Sequence, residues 1–407
     1  VPDVLRLILR LVGARSLNSI GRAMINTAVG YELYERTDSK LVLAAVGAVL
    51  VFPVLVLFVP SGALADRSDR RRLSALAATG TGGVGIGLAL ASYLDAPVSV
   101  YLGLLLVQGC ITVIHAPASS SLIPLVIPRD SLVRANRINS SFQETAQIGG
   151  PALAGLGLML FQYWVIYAFV AITGIAAGVL YRSLPPPRAI AAEPPATANA
   201  RKDWRVGLRF IFRSPLLLPA LTLDMFAVLF AGVTQLLPVV AKDILFVGPF
   251  GFGVLRAAQS VGAVGMAYFG GRLPAWQRPG RVLLIVVALF GAATAAFGLS
   301  TSFPLSVVLL VVMGALDNIS VVIRLTLEQM VVPDAIRGRV SAVHYVFIGM
   351  SNELGGAESG LAAYLFGTVP AIVGGGVVAI IVVGVVTAKW RELAAMPPLD
   401  QLQPAQP

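Results

Sequence analysis

Polar side chains recur at helical spacing along stretches that are otherwise hydrocarbon. Arg15, Asn18, Arg22 and Asn26 form one set, Gln108, Thr112, His115 and Ser119 a second, and Asp317, Ser320, Arg324 and Glu328 a third. Each follows i, i+3 or i+4, i+7, i+11, which lines its members along one helical face. Asp224 and Gln235 make a thinner fourth set. Groups of mixed charge facing one space can hold a solute that has both charge and apolar bulk, and a carboxylate among them can carry a proton. They can also do no more than hydrogen-bond one helix to the next. For single members such as Asn18, Thr112 and Ser320 that is the simpler account.

Depth sorts these residues further. With one helix ending near Val332 and the next rising from Ile336, 1.5 Å per residue puts Asp317 about 22 Å and Glu353 about 25 Å in, with Arg324 and His344 both about 12 Å in. Asp317 can then meet Asn352 or Glu353, while Arg324 and His344 share a level. Two carboxylates at one depth hold a single proton more readily than two charges, which suits exchange near neutral pH. Equally, Arg324 can serve only to neutralise Asp317 or Glu353. Asp224 and, farther out, Glu358 are further candidates for the proton; Glu144, Asp224, Arg22 and Arg256 are further candidates to which the sequence alone assigns no particular neighbour.

The elements that position these groups follow from composition. Of 407 residues, 57% are apolar and 12% charged, with a mean hydropathy of +0.83, too much hydrocarbon for a water-facing exterior. A spanning helix takes about 20 apolar residues. Twelve segments qualify, near 9–31, 41–61, 74–94, 98–126, 133–160, 163–183, 215–240, 250–271, 281–299, 303–328, 337–366 and 367–388. The polar sets fall on the first, fourth, seventh and tenth. Arg15, Arg22 and Asn26 interrupt the first span, which therefore does not read as a cleaved signal. The connectors are short except for one that opens with Leu184-Pro185-Pro186-Pro187 and becomes basic and amphipathic from Asp203 to Arg213. The expected organisation is an N-terminal six-helix bundle over 1–184, a cytoplasmic linker over 185–214, a C-terminal six-helix bundle over 215–391 and a tail over 392–407. The fold class is all-α integral membrane, twelve transmembrane helices in two pseudo-symmetric six-helix bundles.

Of thirty basic residues, 24 fall in the connectors, tails and span ends on the side of the termini, three (Arg36, Lys40, Lys242) on the other side and three (Arg22, Arg256, Arg324) deeper within spans. This bias puts both termini in the cytoplasm and accounts for the net charge of +10 without nucleic acid. Cys110 is the one cysteine and sits in an apolar run, where a small buried side chain is expected. His115 and His344 lie in separate halves, and neither H-E-x-x-H nor a phosphate-binding G-x-x-x-x-G-K-[ST] occurs. No metal, cofactor or enzymatic chemistry is expected.

A repeat supports the duplication. Val126-Ile127-Pro128-Arg129-Asp130, then Arg134 and Gly149-Gly150, recurs 205 to 206 residues later as Val331-Val332-Pro333-Asp334, then Arg339 and Gly355-Gly356. Two segments read as conformational switches. In Gly62 to Arg72 a small residue lets the second span end against a neighbour, Asp66 caps or neutralises the start of the third, and Arg67 and Arg70 pair with acids on adjacent helices. Arg71 and Arg72 read as tethers to the positive side. In the fifth span Gly149, Gly150, Pro151 and Gly155 allow close helix contact and a hinge.

These stretches resemble the major facilitator superfamily. Gly62 to Arg72 matches its loop signature G-x-x-x-D-R-x-x-R-R, and Gly150-Pro151 with its flanking glycines is similar to the glycine-proline motif of its drug/proton antiporters. IPLVIPRDSLVRAN, GVLRAA, DNISVVIR and SNELGGAESG are similar to the bacterial drug and siderophore exporter branch that includes enterobactin exporters. Gln147 and Ile148 depart from the strict antiporter pattern, and the first span bears Arg22 in place of an acid. The resemblance covers about the whole chain. It implies rocker-switch export of amphipathic small molecules by proton antiport, from a monomer in the bacterial inner membrane, with substrate, protons and the lipid bilayer as its partners. A lipid flippase of the same fold and a non-transporting membrane sensor or assembly factor are the alternatives.

Overall fold

The structure, a computed structural model, describes residues 2–186, 204–270 and 276–402. Among these it is helical throughout, with no strand. The helices are α1 (Pro2–Thr37), α2 (Lys40–Arg67), α3 (Arg70–Tyr93), α4 (Val98–Ser120), α5 (Leu122–Val126), α6 (Leu132–Leu160), α7 (Tyr163–Arg182), α8 (Trp204–Arg213), α9 (Leu217–Ala231), α10 (Leu237–Val239), α11 (Gly248–Gly270), α12 (Pro279–Leu299), α13 (Phe303–Val331), α14 (Asp334–Phe366), α15 (Thr368–Lys389) and α16 (Arg391–Ala394). The twelve expected spans correspond to α1, α2, α3, α4 with α5, α6, α7, α9 with α10, and α11 to α15. Helices satisfy their own backbone, which lipid cannot do, and large apolar side chains such as Leu76, Ile172 and Tyr364 point outward.

Two spans depart from a single helix, for reasons written in their prolines. The fourth breaks at Ser121, because Pro124 has no N–H to give the Ser120 carbonyl; at the break the Ser120 and Ser121 hydroxyls also donate to the Pro117 carbonyl, at 3.2 and 2.8 Å. The seventh stops at Ala231. Gly232 turns extended, a 3₁₀ turn covers Thr234–Leu236, and a π-helical turn over Val240–Ile244 follows α10. Pro238 has no N–H to continue the helical ladder through this stretch. The freed Gly232 carbonyl accepts from Ser359 Oγ of α14 at 3.2 Å, the kind of side-chain repair that permits irregular backbone at membrane depth.

By contacts the chain divides into two units, Val1–Ala192 with Ala241–Ala257, and Glu193–Val240 with Ala258–Pro407. In the first, α1 packs on α6 and α7, and α3 packs on α4 and α7; in the second, α9 packs on α14 and α15, and α12 packs on α13 and α15. Spans one, three, four, five and six are thus matched pair for pair by seven, nine, ten, eleven and twelve, as duplication requires. Small residues permit the closest of these contacts. A Cβ at Gly174 of α7 would lie 2.5 Å from the Gly82 nitrogen of α3.

Candidate functional site

The densest charge lies in the second unit. Asp317, Ser320 and Arg324 share one face of α13, opposite Asp224 of α9. Arg324 is 3% exposed and forms an ion pair with Asp224, while its Nε donates to the Ser320 carbonyl at 3.2 Å. Asp224, Asp317 and Ser320 line one void together with Ala227, Val228, Phe290 and Leu316. Its volume of about 20 Å³ admits about one water. Two acids therefore face one base in apolar surroundings. With all three ionised the cluster holds one uncompensated negative charge, and a single proton removes it. A space of this size suits a proton or a water and is too small for a drug-sized ligand.

The depth argument puts Arg324 and His344 at one level and offers Asp317 or Glu353 as the acid for Arg324; the structure gives each a different partner. Arg324 takes Asp224, and His344 Nδ1 meets Glu328, whose other oxygen accepts from Ser341. His344 and Glu328 are both buried, and among the described residues His344 Nε2 has no hydrogen-bond partner. Asn352 is exposed and donates to its own helix, to the Ile348 carbonyl at 2.9 Å, so it does not meet Asp317. Glu353 is half-buried on α14. Glu358, also half-buried, accepts from Ser359 at 3.4 Å. Gln235 lies in the 3₁₀ turn after α9 and packs against Gly356.

In the first unit the two stripes are partly brought together. His115 is buried, lies in the field of Arg15 and Arg22, and meets Tyr181 edge-on at 5.7 Å. Among the described residues its Nε2 has no hydrogen-bond partner, and neither has the Oδ1 of Asn18, which is also buried. Gln108 donates to Thr81 at 3.4 Å and Thr112 at 3.3 Å, tying α4 to α3. Asn26 is exposed, and Cys110 is half-buried where full burial is expected.

Glu32 is the group that sequence reasoning missed. It is 0% exposed and accepts from Ser92 (2.8 Å), Tyr101 (2.8 Å) and Tyr167 (2.6 Å), with Arg36 at 2.8 Å. One carboxylate thus joins α1, α3, α4 and α7. The span expected over 9–31 ends one residue short of it, whereas α1 runs on to Thr37. An acid followed four residues later by an arginine on one helix face was the available signal.

The switch residues divide as follows. The cap of α3 is Asp69 in place of Asp66: its carboxylate accepts from the Arg71 and Arg72 nitrogens at 2.9 and 3.3 Å, while Asp66 ends up inside α2. The side chains of Asp66, Arg67 and Glu144 lie outside the described residues. Arg70 Nε donates to the Ala65 carbonyl at 3.3 Å, and Arg71, expected to be a tether, donates to the Leu184 carbonyl at 2.8 Å. No described atom lies within 4 Å of a Cβ built on Gly62 or Gly149, so neither makes the close approach expected of it. Gly150 does, with its Cβ position 2.6 Å from that of Ala23, and α6 continues through Pro151. Gly155 meets Gly253 so closely that a Cβ on it would lie 2.2 Å from the Gly253 Cα. Around this contact Tyr34 donates to Asp243, Lys242 pairs with Asp38 at 2.6 Å, and Tyr31 stacks on Phe252 at 4.9 Å. The stretch Ala241–Ala257 is thereby fastened to α1 and α6.

Two helical units packed pair for pair alike, with apolar exteriors and a buried charged cluster in the second, are the arrangement of a multi-pass membrane protein. The chain belongs to the Major Facilitator Superfamily, whose sequence profile it matches over residues 11–356. It is 28% identical over 342 residues to the enterobactin exporter EntS of Escherichia coli O1:K1 / APEC, across 81% of this chain and 79% of that one. It is also 28% identical over 166 residues to macrolide efflux protein A of Streptococcus pyogenes, an alignment that spans only 40% of either chain. In fold it resembles a bacterial homologue of the human lysosomal transporter Spinster, in an inward-facing and occupied conformation, at a TM-score of 0.76 and 16% identity over 97% of this chain and 99% of that one.

Proposed function

We propose that this transporter is a secondary active exporter of amphipathic small molecules, of the drug or siderophore class, working by alternating access and proton antiport. The observation that carries the reading is the cluster of Asp224, Asp317 and Arg324 around a water-sized void. Its extra negative charge is what a proton would neutralise, and a change in that charge alters what Arg324 must compensate. The named activities of the two relatives, an exporter and an efflux protein, favour the outward direction. Alternation would break and remake the contacts that fasten Ala241–Ala257 to α1 and α6. The arginine bias supports an inner-membrane protein with both termini in the cytoplasm.

The test is efflux from proteoliposomes of the purified protein, with and without an imposed pH gradient, for wild type and Asp317→Asn. The gradient should accelerate wild-type efflux. The variant should still be stabilised thermally by substrate, since a ligand of the folded state raises its stability, but should lose the gradient response. Wild-type efflux indifferent to the gradient would remove antiport; a full response in Asp317→Asn would move the proton to another acid, Glu353 first.

A further inference from the structure

The helix α8 has two faces of opposite character. At 3.6 residues per turn, Arg205, Arg209, Phe212 and Arg213 fall within an arc of about 100°. All four are exposed, Phe212 at 57%. The opposite arc is buried. Ile211 is 1% exposed and joins the apolar cluster of Leu327, Val331, Val340 and Val343. Gly207 seats the helix on α14, where a Cβ would lie 2.7 Å from the Arg339 carbonyl oxygen and 3.0 Å from the Val340 nitrogen. Among the described residues none of the three arginines has an ion pair, and α8 contains no acid.

We propose that this face lies on the bilayer surface and binds anionic phospholipid headgroups. Charge selects the occupant: three guanidiniums offer paired donors that match phosphate oxygens, and Phe212 at the edge of their arc supplies an apolar group for the acyl boundary. The rest of the protein already lies in lipid, so the ligand is at hand. Because α8 is seated on the first turns of α14, bound lipid also restrains the helix that carries His344, Glu353 and Glu358, and with it the rate of transport.

The experiment follows thermal unfolding of the purified full chain in neutral detergent during titration with phosphatidylglycerol, phosphatidylcholine or inorganic phosphate. It compares wild type, R205Q/R209Q/R213Q, the charge-keeping R205K/R209K/R213K, and R10Q/R182Q/R391Q, which removes three exposed bases elsewhere. Phosphatidylglycerol alone should raise the unfolding temperature of wild type and of the R10Q/R182Q/R391Q control. A basic residue contributes about fivefold to binding at an anionic surface, so the glutamine variant of α8 should need about a hundredfold more lipid for the same rise. About 1 M salt should abolish the wild-type response. An unchanged response in the glutamine variant, an equal effect of phosphatidylcholine, or the same rise with inorganic phosphate would each overturn the proposal. If the glutamine variant does not fold, the lysine variant decides: a response within about fivefold of wild type supports headgroup binding, and loss of the response overturns it.

Discussion

Replacing Arg324 by Met leaves Asp224 and Asp317 facing each other across a void that holds about one water. Replacing Asp224 by Leu leaves a guanidinium that is 3% exposed without its anion. Removing one partner of a buried pair costs about 3–5 kcal/mol, and the structure sets an order within that range. In Asp224→Leu the charge on Arg324 still acts on Asp317, so the cost should lie near the lower figure, about 3 kcal/mol. In Arg324→Met two acids are left with no base, and the cost should approach about 5 kcal/mol. The double variant buries neither charge of the pair but leaves Asp317 without its base, so it should recover stability relative to Arg324→Met yet stay below wild type, the apolar replacement of the pair itself being often neutral. Reversible unfolding in mixed micelles measures all four corners of the cycle, and efflux in vesicles is measured beside it. Recovered stability with absent transport would show that the charges do more than hold α9 to α13. Recovery of both would reduce the pair to a structural bond and take Asp224 and Arg324 out of the coupling mechanism. Single variants within about 1 kcal/mol of wild type would refute the premise that the pair is desolvated.

Two other substitutions probe contacts that the structure makes specific. Gly155→Val inserts a side chain where even a Cβ lies 2.2 Å from Gly253; overpacking should cost about 1–3 kcal/mol and free Ala241–Ala257, read as faster labelling of a cysteine placed at Lys242 in a Cys110→Ser background. Labelling no faster than in the Gly155 parent would show that this contact does not hold the segment. Glu32→Gln removes the charge that answers Arg36 and accepts from three hydroxyls, and should destabilise by about 3 kcal/mol or more in the same micelle assay. Tyr167→Phe, which removes one hydrogen bond to that carboxylate, should cost about 1.5–3 kcal/mol, and equal effects from the two variants would argue against a shared ionised centre.

The twelve spans and the stripe on α13 were legible because hydrocarbon makes every polar residue conspicuous and the helical period assigns it a face. The partner of each residue was less so. Equal depth allowed Arg324 to meet His344, but depth along a helix says nothing of which neighbour stands opposite. Here Asp224, inside α9, stands opposite Arg324, and Glu328 one turn on takes His344. The break in the seventh span was written in Gly232 and Pro238, and Asp69 stood directly before the start of α3 as a better cap than Asp66; both signals were local and available. Glu32 was hidden by a boundary set one residue too early. The fastening of Ala241–Ala257 was hidden for a different reason: Tyr34, Asp38, Lys242 and Asp243 lie near span ends, where charge and aromatics look like ordinary membrane-interface residues. Only their convergence on one patch, beside a glycine pair too close for any side chain, distinguishes a latch from an interface belt. A latch of this kind can hold one state only if its bonds are lost in the other, so in a working transporter buried Tyr34 and half-buried Lys242, released from Asp243 and Asp38, should gain solvent access together whenever the Gly155–Gly253 contact opens.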